Sequence, residues 1–472
     1  MALRYKMLTA VVVIAAFIVA PVASFVVIHS ADAPPPEDAD LLVRPPAVPE
    51  EENAFPLLLE AGDAIFWLTD RDWLDGPPPE GASEDALTDR DRLEAMVGGK
   101  EWDEGLAEAV LGRNREALAL LDRAMARPHL QIPALESVAF EIPYIYGFLQ
   151  LAKVQALQSR AQVRNAQAAQ AVETALKTVE LGDRLERGSN CAAAYLVGLT
   201  IRGQGLLLLR DLAAKAPLAA DDMRRVADRL AELPPQGDAL AGVWRAEYRV
   251  AADAVGRVRR GELSIDEVTT VPGLSMYLML PTPYRLHPNR TRCLFADTFR
   301  TYCEAARKPY WEARLDMEVL QRRLDRQCSA TDHWWSPFRP NVLGEALYFG
   351  LIPAGDWVTQ AKARSILIQR VTRLLLLLRA WKADHGRLPE ILDALVPAFM
   401  EAVPLDPFDG GPVRYDREKR ILYSAGKDGV GTGGMSEDEQ QTWWKNEDPD
   451  AAAGGHEPNV WEMPDPSFPI RF

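Results

Sequence analysis

The sequence predicts a mainly α-helical protein of several folded units, closed by a small C-terminal α+β module. Three observations carry this reading. The 472-residue chain exceeds the usual size of one domain. Apolar residues recur at spacings of three and four between residues 53 and 330, which is the period of amphipathic helices. From residue 381 to 434, glycine and proline punctuate short apolar runs, so the pattern changes to that of brief strands and turns. Hydrophobic residues make up 48% and charged residues 26%, the balance of a globular chain. A net charge of −15 without a basic, aromatic-interleaved stripe excludes nucleic acid as a partner.

Residues 1–30 read as a transmembrane signal-anchor. Behind Arg4 and Lys6, residues 7–28 carry no charge, enough to cross a bilayer as a helix. Asp32, Glu37, Asp38 and Asp40 follow the run, while residues 1–28 hold no acid. Positive charge stays in the cytoplasm, which predicts a single-pass inner-membrane protein with its C-terminal bulk periplasmic or otherwise extracytoplasmic. A cleaved signal peptide is the alternative, with Ala31-Asp32-Ala33 as a small-x-small site followed directly by Pro34. Residues 31–52, rich in proline and acid, read as an extended linker that spaces the folded part from the membrane.

Residues 53–330 form the helical domain. In residues 113–127 a stripe of Ala117, Leu120, Leu121 and Ala124 faces away from the charges. Similar stretches at 144–187, 191–213, 219–232 and 238–260 are separated by Gly188-Ser189-Asn190, Pro217 and Pro234-Pro235. No fixed 34-residue period recurs, so an irregular bundle or short solenoid is expected rather than a tetratricopeptide array.

Residues 281–328 read as a helical hairpin, with Pro288 opening one helix and Pro309 the next. Cys293 and Cys303 cannot pair along one helix, since ten residues separate them by about 15 Å. The return helix brings Cys328 toward Cys293, so the choices are that one disulfide or four unpaired thiols among Cys191, Cys293, Cys303 and Cys328. No cysteine or histidine spacing suggests zinc.

Residues 331–358, with His333, Trp334, Trp335, Pro337 and Trp357, read as an aromatic junction. A helix is expected from Thr359 to about His385, interrupted by Arg364, Arg370, Arg373 and Arg379 and therefore buried rather than membrane-spanning. Behind it come Gly386, a short Leu/Val-rich helix, a Pro/Asp/Gly turn, two strands and a glycine loop, a self-contained module over residues 359–445 with a tail at 446–472.

The order Gly386, Pro389, Pro404, Asp406, Pro407, Phe408, Gly410, then Tyr423, Ser424, Gly426, Asp428, Gly429, Gly433 and Gly434 resembles the globular head of the major pseudopilin of bacterial type II secretion. The resemblance implies a pseudopilin-like α+β head, here fused to an unrelated helical ectodomain, because the apolar anchor lies far upstream. It also implies calcium in the loop at 423–439, with Asp428 as the first ligand and Glu437 and Asp438 as weaker ones. Calcium takes six to eight oxygens, and a glycine-rich loop can turn its carbonyls inward.

GVGTGG at 429–434 matches a dinucleotide motif, but no βαβ unit or later acid accompanies it. No GxSxG, P-loop or HExxH is present. Two functions are carried forward. The first is a non-enzymatic envelope protein that makes protein contacts, with a secretion-related role. The second is a cell-envelope hydrolase with its site in the helical region or the Trp-rich junction.

Overall fold

A computed structural model describes residues 31–67, 84–135, 138, 142–234, 237–264, 268, 286–329, 340–447 and 459–472. The expected anchor at 1–30 and the junction residues His333, Trp334, Trp335 and Pro337 lie outside them. The described chain is mainly helical, with a three-stranded sheet near its C-terminal end.

Among the described residues five helices come first: α1 (Phe55–Asp63), α2 (Glu84–Gly98), α3 (Glu104–Arg113), α4 (Arg115–Met125) and α5 (Tyr144–Arg164). The stripe read in residues 113–127 buries Ala117, Leu121 and Ala124 against Phe55, Leu58 and Phe148. The helix itself starts at Arg115, two residues into that stretch. Asn114 is fully buried, and its amide group takes the backbone N–H and carbonyl of Phe66 and the carbonyl of Val110. A side chain that satisfies backbone groups in this way competes with helix continuation.

The centre of the fold is the hairpin of α6 (Ala168–Gly188) and α7 (Ala192–Lys215). The stretch read as continuous from 144 to 187 is divided at residues 165–167, where Ala166 has φ 57°. No glycine or proline announces that turn. A Cβ on Gly182 would stand 2.4 Å from the backbone N of Arg202 and 2.6 Å from the carbonyl of Gly198. The two helices thus meet backbone to backbone. By length and composition α7 could cross a membrane, yet most of its apolar face is buried in this protein and it carries Arg202 at its middle.

α8 (Ala220–Ala231), α9 (Gly237–Arg260), α10 (Pro288–Arg307), α11 (Tyr310–Ser329), α12 (Val342–Leu351) and α13 (Gly355–His385) follow. The predicted hairpin is α10 and α11, with Pro288 in the first turn and the Pro309 carbonyl accepting from Glu312 and Ala313. Its aromatic core holds Trp244, Tyr248, Phe295, Phe299 and Tyr348. Cys191, Cys293 and Cys303 are free thiols, so the Cys293–Cys328 bridge is not made.

The linker expected at 31–52 is not a spacer. Its Asp32 carboxylate accepts from the first amides of α10, at Asn289 (2.9 Å) and Arg290 (3.0 Å). Asp38 is buried, pairs with Arg292 at 2.5 Å and accepts from the Tyr248 hydroxyl. Asp40 holds Arg300 at 2.9 Å, and Leu41 enters the aromatic core. Acids that composition assigns to solvent are thus spent on buried or half-buried partners, and the segment forms a strap across α9 and α10.

The C-terminal module begins where Gly386 ends α13 in a left-handed conformation (φ 74°) that a side chain would strain. The expected Leu/Val helix is a single 3₁₀ turn, Leu392–Leu395. Strands β1 (Arg414–Asp416) and β2 (Ile421–Tyr423) pair antiparallel, as the turn pattern predicts. The C-terminal residues read as a tail supply β3 (Ser467–Pro469), which pairs antiparallel with β2, and α14 (Glu437–Glu447) lies between them in sequence. The module is not self-contained. Leu395, Phe408, Leu422 and Phe468 belong to the same apolar core as Leu374–Leu378 of α13 and Leu206 and Leu209 of α7.

Candidate functional site

Within the module, Asp406 joins the two halves of the glycine- and proline-rich pattern. Its buried carboxylate accepts from Phe408 N (3.0 Å), Ser424 Oγ (2.9 Å) and Ala425 N (2.8 Å), and Arg414 pairs with it at 3.1 Å. Asp406 therefore has a structural role, fastening the 404–411 turn to the end of β2. The residues expected to bind calcium have separate partners. Asp428 is exposed and accepts from Val430 N at 3.0 Å, and Glu437, in the first turn of α14, pairs with Arg471 at 2.8 Å. Asp438 also lies in that turn, and its carbonyl accepts from Thr442. Among the described residues no three acids, histidines or cysteines form a metal-binding group.

The loop instead closes on a residue that sequence reading missed. Asp465 is buried, and its Oδ2 accepts from Thr432 N (2.7 Å), Thr432 Oγ1 (2.8 Å) and Gly434 N (2.9 Å). Protein cations take three loop carbonyls: Arg314 those of Lys427 and Asp428, and Lys419 that of Gly434. Asp465 lies about 30 residues beyond the loop, on a segment with no pattern of its own, so only the β2–β3 pairing reveals it.

A cleft of about 1240 Å³ lies where the module meets the helical domain. Its walls are the end of α8, the α10–α11 connection and residues 397–407, and one face of α13 contributes Lys362, Ile366, Gln369, Arg370 and Arg373. These positions recur at three- and four-residue spacing, so they share a helix face. Lys362 is 5% exposed; its ammonium donates to the Ala306 carbonyl at 2.5 Å, and burial lowers its pKa to about 8. Arg370 donates to the Leu405 carbonyl at 2.5 Å, and burial lowers its pKa too. Arg373 has a buried Nε without a partner. Among the described residues none of the three forms an ion pair, whereas the other cations of the walls do. Arg307 pairs with Asp238, Lys308 with Asp316, and Arg224 with Asp221 and Asp384. Three cations outside any ion pair thus line the α13 side of the cleft, while its other walls carry the carboxylates of Asp228, Glu232 and Glu401.

Arg202 sets the position of that face. It is 1% exposed, pairs with Glu186 at 3.1 Å and Asp183 at 3.6 Å, and donates to Gln369 Oε1 at 2.5 Å. Gln369 in turn donates to the Leu230 carbonyl at 2.5 Å. One chain of polar contacts thus runs from the α6–α7 hairpin through α13 to the end of α8. Burial pushes the Glu186 carboxyl up to about 8, against the opposing pull of Arg202. The sequence held one signal for this site: of the four arginines read as interruptions of an apolar helix, Arg370 and Arg373 lie on the face that lines the cleft.

The junction residues that are described do not add to it. Asp356 has its pKa raised by burial and by Glu318, and Trp357 is half exposed.

Fold and cleft together define a helical scaffold with a cleft whose α13 wall carries Lys362, Arg370 and Arg373. Models of known protein families, curated proteins and solved structures give no match to this chain.

Proposed function

We propose that this chain is a single-pass inner-membrane protein whose extracytoplasmic part works by binding, holding an acidic segment of an envelope partner in the cleft between the helical domain and a pseudopilin-like head. A secretion-related role follows from that resemblance. The observation that carries the reading is the set of Lys362, Arg370 and Arg373, three cations on one helix face that form no ion pair among the described residues. Unpaired, partly desolvated charge costs stability, and an acidic ligand recovers that cost.

A fluorescent oligoglutamate peptide tests it with the full chain. Binding is expected to weaken with salt and to fall as pH rises through about 8, where Lys362 loses its proton. Arg370→Gln with Arg373→Gln is expected to weaken it at least tenfold, since a charged hydrogen bond contributes about 1.5–3 kcal/mol. No binding by the native chain, or equal binding by the variant, removes the proposal. Lys362 also favours the hydrolase reading, because a buried lysine titrating near 8 is suited to proton transfer. Turnover of an envelope polymer that Lys362→Met abolishes would replace binding by catalysis.

Calcium in the 423–439 loop is a second reading, favoured by one atom. Asp465 Oδ1 is buried and has no partner, and a cation would satisfy it. Arg314 and Lys419 already hold three of the loop's carbonyls, so Asp465 with Asp428 would have to supply the charge. Calcium at a hundred times its dissociation constant is expected to raise the unfolding free energy of the full chain by about 2.7 kcal/mol. Asp465→Asn should remove that gain; equal melting midpoints in calcium and chelator would eliminate the ion.

A further inference from the structure

A second cavity, of about 580 Å³, is walled by the strap at 43–48, the segment 128–134, the end of α6 and one side of α9. On α9 its lining includes Ala239, Gly242 and Ala246, whose spacing of three and four makes a floor of small side chains. A Cβ on Gly242 would meet nothing within 4 Å, so the floor opens onto free space. Arg245 and Arg249 flank it from the same helix, and Arg44 reaches it from the strap.

These three guanidiniums share the cavity without a counter-charge. Arg249 donates to the Val43 carbonyl at 2.8 Å, which ties the strap to α9. Among the described residues neither the Arg44 nor the Arg245 side chain has a hydrogen bond or ion pair. The acid of the lining, Asp238, pairs with Arg307 at 2.9 Å outside the cluster. Arg187 is neutralised by Asp183 at 2.6 Å, and His129 faces Glu52 at 3.8 Å. Burial lowers the pKa of Arg249, and the charges of Arg44 and Arg245 lower it further.

We infer that this cavity is a binding site for a small molecule bearing a phosphate ester or pyrophosphate, gripped by Arg44, Arg245 and Arg249. Guanidinium forks match phosphate oxygens two at a time, which an ammonium cannot do. The volume lies within the roughly 300–1,000 Å³ of small-molecule sites and exceeds the need of a lone phosphate ion. Because one of the three arginines belongs to the strap, ligand binding also clamps the strap onto α9.

Calorimetric titration of the full chain in neutral detergent tests this, with inorganic pyrophosphate as one probe and phosphatidylglycerol-doped micelles as the other. Pyrophosphate is expected to bind, and Arg245→Gln to weaken it about tenfold to a hundredfold, the loss of one charged hydrogen bond. The Cβ of Gly242→Leu meets nothing within 4 Å and the larger side chain occupies the floor while all three arginines are kept, so it should abolish binding in a folded protein. Binding of the doped micelles alone, lost in both variants, assigns the phosphate to a lipid headgroup. Failure of the native chain to bind either probe overturns the site, as does binding that both variants retain.

Discussion

Arg202→Ala is expected to lower the unfolding free energy by about 3–5 kcal/mol, the cost of leaving a buried carboxylate without its partner. Arg202 is the point where Glu186, Asp183 and Gln369 converge, and Glu186 is 1% exposed. Glu186 has its folded pKa raised from 4.5 to about 8, so the stability it contributes is complete below about 4.5 and is lost as pH rises through 8. Without Arg202 the opposing pull is gone and the carboxyl must stay protonated further into the alkaline range. The deficit of the variant should therefore be larger at pH 8 than at pH 5, as urea unfolding at the two values would measure. Arg202→Met with Glu186→Gln should recover much of it, because the charges leave together. A loss below about 1 kcal/mol at both pH values would show that the pair contributes little. The same variant should weaken oligoglutamate binding, since Gln369 and the cationic face of α13 lose their tether.

Gly182→Val is the second large effect, expected to cost about 3 kcal/mol or more. Overpacking usually costs about 1–3 kcal/mol when side chains can yield. Here a Cβ would meet the backbone N of Arg202 and the carbonyl of Gly198, so α6 and α7 must part. Gly203→Ala on α7 is the control: nothing lies within 4 Å of its Cβ, and helix propensity favours alanine by up to about 1 kcal/mol. Thermal unfolding that ranks Gly203→Ala above the native chain and Gly182→Val far below it supports the close approach. Equal midpoints for the two variants would contradict it.

The helices were legible wherever a local signal exists. Pro288 opens α10, Gly386 closes α13, and apolar spacing marks α4, α8 and α9, because each follows from contacts within a turn or two of chain. Strands β1 and β2 were legible for the same reason, being joined by a tight turn. β3 was not, since its three residues take strand form only by pairing with β2, more than 40 residues earlier in the chain. The break at residues 165–167 escaped because Asn165, Ala166 and Gln167 tolerate a helix, and only the packing of α5 on α6 demands the turn.

What the sequence by itself determined is the helical class, the approximate bounds of α4 and of α7 to α11, and the short β1–β2 hairpin. All of these depend on composition or on neighbours close in the chain. The tertiary structure alone decided which charges are spent and which are free. Asp38 and Asp40 look like solvated linker acids until α9 and α10 supply Tyr248, Arg292 and Arg300. Arg370 and Arg373 look like breaks in an apolar helix until the fold sets them beside Lys362 on one wall of the cleft, outside any ion pair among the described residues. The physical reason is that pairing and desolvation depend on distance in space, so partners 35 to 260 residues apart in sequence fix the charge of each site.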